Sequence, residues 1–120
     1  MIFPALHEAY FDRVKEYQIN NSTKSKNGVY RVFLANKKDN PTSIERAGGK
    51  DTQGTIYIGK STNIFSRVGK LVNLLNDTQK SGRGHVMGVR YQTHPILKKL
   101  FPVENLRIEM TFCEAEPQTN

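Results

Sequence analysis

The side chains best suited to phosphate chemistry in this sequence are two tyrosines and an arginine in a fixed order. Gly28-Val29-Tyr30 is followed by Tyr57-Ile58-Gly59-Lys60, and Arg67 stands eight positions after Gly59. Cleaving a phosphodiester requires a deprotonated water, neutralisation of charge on the phosphoryl oxygens and, as a rule, a divalent cation held by carboxylate oxygen. Arg67 offers a planar fork matched to phosphate. A phenol, with an ordinary pKa of about 10, acts as a base only where a cation stabilises its phenolate. Lys60, Arg67 or a metal-bound water would supply that cation. Gly59 and Lys60 also precede a predicted helix, whose first backbone N–H groups attract anions. Taken singly, each tyrosine is a core aromatic and Arg67 a snorkelling side chain over Leu71. Their ordered pairing favours the functional reading.

A second candidate is Gly82-Arg83-Gly84-His85-Val86-Met87-Gly88-Val89-Arg90-Tyr91. His85 titrates near neutrality and suits proton transfer or phosphate contact. Arg83, Arg90 and Tyr91 suit backbone gripping and stacking on a nucleic acid. The bland alternative is a flexible glycine loop with basic residues. His94 precedes Pro95 and reads as a helix-start residue, and His7 needs no function.

These residues must be held by a small set of elements. Pro4 to Tyr17 carries Leu6, Tyr10, Val14 and Tyr17 at helical spacing, with Pro4 in the first turn. Asn20 to Asn27 is a polar connection. Val29 to Leu34 reads as a strand with Tyr30, Val32 and Leu34 on one face, and Thr55 to Gly59 as the next, with Tyr57 facing away from Ile56 and Ile58. Between them, Ala35 to Gly54 has little to bury and reads as an inserted surface loop, whose Lys37, Lys38, Arg46 and Lys50 are available to DNA. Ser61 or Thr62 caps a helix whose apolar stripe is Ile64, Val68, Leu71, Val72 and Leu75. Asp77 to Gly84 is a loop, Pro95 to Leu100 a short helix, and Leu106 to Cys113 an alternating strand. Three strands with several helices imply an α+β fold.

A length of 120 residues suits one domain, since domains run to about 100–150 residues. Residues 1–27 provide a helix and linker, 28–114 the core and 35–54 the insertion. Eighteen Lys and Arg against eleven Asp and Glu give a net charge of +7, which attracts polyanions, nucleic acid foremost. Cys113 is the only cysteine. That excludes an internal disulfide and a multi-cysteine zinc site, and fits a reducing compartment: the cytoplasm, or the nucleoid or nucleus for a DNA-bound protein. No apolar run approaches the length of a membrane span, and Met1 to Tyr10 lacks a secretory pattern.

Over roughly Gly28 to Glu114, the two tyrosine motifs and Arg67 in the first turns of the following helix resemble the GIY-YIG nucleases. The resemblance implies a three-stranded antiparallel sheet flanked by helices and a DNA endonuclease using Mg2+ or Mn2+. RNA is the less expected partner. It further implies Tyr30 as general base or holder of the attacking water, Tyr57 positioning phosphate or water, and Arg67 stabilising the transition state. The sequence departs from the family pattern in three places. The spacing between the tyrosine motifs is longer than the usual tight hairpin, a change that costs little closure entropy. Leu71 stands where many members place a histidine, whose role either is dispensed with or passes to His85. The metal-binding glutamate, which the family carries on a helix after the third strand, is expected beyond Asn120, with Glu114 and Glu116 the acidic candidates within the chain. Without that carboxylate the alternative is a basic nucleic-acid-binding module that does not cut, and a third reading is a protein-interaction domain.

Overall fold

A computed structural model describes residues 1–21, 26–46, 48–76 and 86–113, apart from the side chains of residues 45, 46 and 86. In chain order the elements are β1 (Ile2–Pro4), α1 (His7–Asn20), β2 (Gly28–Leu34), β3 (Ile44–Arg46), β4 (Gly49–Asp51), β5 (Thr55–Ser61), α2 (Ile64–Leu75), α3 (Val86–Thr93), α4 (Pro95–Leu100) and β6 (Leu106–Phe112). The fold is α+β, with a four-stranded antiparallel sheet in the order β1-β6-β2-β5 and a separate β3-β4 hairpin.

The strand bearing Tyr30 is therefore interior, and its alternation decides the site. Tyr30 lies opposite Gly59 on one side and Met110 on the other, while Val32 lies opposite Tyr57 and Ile108. Residues opposite one another across a sheet project to the same face. Tyr30, Val32, Tyr57, Ile108 and Met110 thus share a face, and they pack with Ile64, Val68, Leu71, Val72 and Leu75 of α2 in one core. The α2 stripe is where the sequence places it, and every member is buried. Gly28 admits β6 at close range: a Cβ there would stand 2.4 Å from the Thr111 carbonyl oxygen.

Two elements differ from the sequence expectation. Ile2–Pro4 is a strand, so the sheet has four strands rather than three, and α1 begins at His7 rather than Pro4. Phe3 explains the difference: it is 1% exposed, opposite Ile108, and three residues are too few to display a period. The expected surface loop 35–54 also contains the β3-β4 hairpin, whose strands of three residues each are too short to show an alternation.

On the opposite face of the sheet, Arg31 fastens this insertion to the strands. Its Nε donates to Glu109 Oε1 at 3.0 Å, and its Nη1 to the Gln53 carbonyl at 2.8 Å and to Thr55 Oγ1 at 2.9 Å. The guanidinium lies 4.3 Å above the Phe33 ring, a cation–π contact that covers the phenylalanine on that face.

Candidate active site

Tyr30, Tyr57 and Arg67 meet. The two rings have centroids 6.1 Å apart with planes at 35°, and the Tyr30 hydroxyl is hydrogen-bonded to both Arg67 and Tyr57. Register brings this about: Gly59 lies opposite Tyr30 and Tyr57 two residues away along the same strand and on the same face, and the Tyr30 ring lies over Gly59. A Cβ at position 59 would come within 2.5 Å of the phenol's Cζ and Oη, far inside van der Waals contact. Gly59 is thus the floor on which the Tyr30 ring rests.

The third member comes from the first turn of α2. Asn63 is the N-cap, its Oδ1 accepting from Ser66 N–H at 3.5 Å, while its own N–H donates to Ser61 Oγ at 3.0 Å. The cap is therefore Asn63 and not Ser61 or Thr62. Lys26 O accepts from Ile64 N–H at 2.9 Å, and Asn63 O accepts from Arg67 N–H at 3.1 Å. The N–H groups of Asn63, Ile64 and Ser66 are therefore engaged internally at this helix start.

Beside the trio is an open cleft of about 600 Å³ lined by Asn27, Lys60, Ser61, Thr62 and Arg67. Lys60 is exposed, and Tyr57 and Arg67 are half-buried, whereas Tyr30 is 1% exposed. The lining thus offers two cations, two hydroxyls and a carboxamide, a donor set suited to an anion. Asn27, Ser61 and Thr62 are cleft residues that the motif reading passed over. The signal for them was adjacency, since they directly precede Gly28 or follow Lys60. Asn27 is tied to the chain just after β6, its carbonyl accepting from Cys113 N–H at 2.7 Å.

The Tyr30 phenol has its pKa raised, first by desolvation on burial and then by the charge of Tyr57, while the hydrogen bond and charge of Arg67 pull it down without prevailing. Burial thus outweighs Arg67 at this phenol. Tyr30 is neutral across the physiological range.

The remaining candidates are dispersed. Tyr91 is 3% exposed, its hydroxyl donating to Phe101 O at 2.8 Å, and burial leads the upward shift of its pKa. It is a core residue, not a stacking surface. Arg90 is exposed on α3, which packs toward the far end of α2: Gln92 Nε2 donates to Leu74 O, and the backbone at Gly88 approaches the Leu74 side chain. His85, Arg83, Glu114 and Glu116 lie outside the described residues. Among the described residues no carboxylate lines the cleft and no cluster of three acidic, histidine or cysteine side chains is assembled. A hard divalent cation takes carboxylate oxygens, so the described cleft does not by itself fit the metal that the resemblance implies. Among the described residues no helix is long and apolar enough to cross a membrane.

Comparisons with protein-family models, with curated proteins and with solved structures found no match.

Proposed function

We propose that the cleft binds a DNA phosphodiester and that Arg67, Tyr57 and Tyr30 carry its hydrolysis. The supporting observation is the hydrogen-bonded set of Tyr30, Tyr57 and Arg67 beside a cleft whose lining holds two cations and, among the described residues, no carboxylate. Arg67 pairs its guanidinium with the phosphoryl oxygens and offsets the charge that grows on them in the transition state. Tyr57, half-buried, orients the phosphate or the attacking water through its hydroxyl. Tyr30, enclosed and neutral, holds the other two in place and is a positioning residue rather than the base.

A non-catalytic DNA-binding module is the second reading. It is favoured by the neutral Tyr30 phenol and by the lack of a carboxylate in the described cleft. Supercoiled plasmid, incubated with magnesium, with manganese or with chelator, separates the two. Catalysis predicts nicking by the unaltered chain, reduced by at least about a hundredfold in Arg67→Ala, on the scale of removing one transition-state donor. Tyr30→Phe should also lose nicking while retaining DNA binding. Retardation of DNA with no nicking under any condition assigns the chain to the binding module.

A further inference from the structure

The cleft continues onto the outer face of α2. That helix carries Arg67 and Lys70 and no acidic residue, and its core side is fully occupied by the apolar stripe. At 100° per residue, Asn63, Ser66, Arg67 and Lys70 fall within an arc of about 100°, which ends where Leu74 is covered by α3. Ser66 and Lys70 are exposed, and Arg67 is half-buried. The strip starts at the cleft, where Asn63 follows Ser61 and Thr62, and reaches two turns along the helix. The neighbouring α1 presents a different surface, with Glu8, Asp12 and Glu16 exposed among Arg13 and Lys15. A mixed-sign face repels a phosphate backbone as much as it attracts one. The all-cationic strip has no such conflict, and residues three apart on a helix lie about 5–6 Å from one another, so Arg67 and Lys70 can grip one strand together.

We propose that this strip, with Lys70 at its centre, is the track along which the DNA strand leaves the cleft. The inference rests on reading the cleft as a phosphodiester site and extends it by naming where the strand runs. Lys60, Arg67 and Lys70 are then the cations that grip it, whereas Lys38, on the turn closed by the Ala35–Pro41 bridge at the other end of β2, is off the path.

The test is the salt dependence of binding to a duplex DNA oligonucleotide, measured for the unaltered chain and for Lys70→Ala, Lys60→Ala and Lys38→Ala. Removing one cation that grips a phosphate lowers the slope of log affinity against log salt by about one. The expected result is such a decrease in Lys70→Ala and in Lys60→Ala and none in Lys38→Ala, with unchanged thermal unfolding because all three side chains are exposed. If Lys70→Ala keeps the full slope while Lys60→Ala reduces it, the track is overturned and the cleft reading stands. If the unaltered chain does not bind at low salt, both are overturned.

Discussion

At the scale of single residues, the site is governed by one buried phenol and what surrounds it. Among the described residues Arg67 is the side chain that lowers the Tyr30 pKa, so Arg67→Ala should move the Tyr30 titration further upward, which ultraviolet absorbance of the phenolate follows directly. Burial raises Tyr10 and Tyr91 as well. For each, the folded pKa lies above the unfolded one, so the stability it contributes is complete below about pH 10 and is lost as pH rises through the folded value. The urea midpoint should accordingly be insensitive to these groups up to about pH 10 and fall above it, less steeply in Tyr30→Phe. The motif residues were legible in the sequence because three uncommon side chains kept a fixed order. The state of the phenol was not, since the sequence offers Lys60 and Arg67 as neighbours but gives no measure of the desolvation that outweighs them. Tyr91 misled for a similar reason: beside Arg90 it resembles a nucleic-acid contact, and only the carbonyl of Phe101 identifies it as core.

At the scale of elements, α2 positions Arg67 and the sheet positions both tyrosines, and each depends on a small anchor. Asn63→Ala removes a long cap bond and should cost about 0.5–1 kcal/mol, the lower part of the usual range for N-caps, read as a lower urea midpoint with an unchanged slope. Phe3→Ala should cost about 3–5 kcal/mol, the range for emptying a buried aromatic site, although nothing in the motif involves β1. The stripe of α2 was legible because five apolar residues repeat at helical spacing over twelve positions. By contrast β1 has three residues, and its Pro4 imitates a helix start. The β3-β4 hairpin is short, with three residues to each strand. Elements that bury one continuous face announce themselves in sequence, and those held by register or by a single buried side chain do not.

At the scale of the whole molecule, a charge of +7 is a long-range attraction, and the fold gives it direction. The cations assigned to the strand are Lys60, Arg67 and Lys70, so log affinity for duplex DNA should fall with log salt at a slope of about −3, at about 0.9 per phosphate neutralised. A much steeper slope would mean that Lys37, Lys38 and Lys50 of the insertion also engage the backbone. Arg31 bears on that question because it fixes the end of the insertion to the sheet through Gln53 and Thr55. Arg31→Ala therefore should loosen the insertion and lower the urea midpoint while leaving the slope with salt unchanged.

The Tyr30 ring resting on Gly59 makes the two positions a lock with one key. A side chain at 59 requires the ring at 30 to shift, so the glycine is released most readily once the tyrosine has gone. Among descendants and relatives of this sequence, the glycine is then freest to vary where the tyrosine has already gone. The pair should therefore be inherited as a unit, and its joint loss should accompany loss of the site.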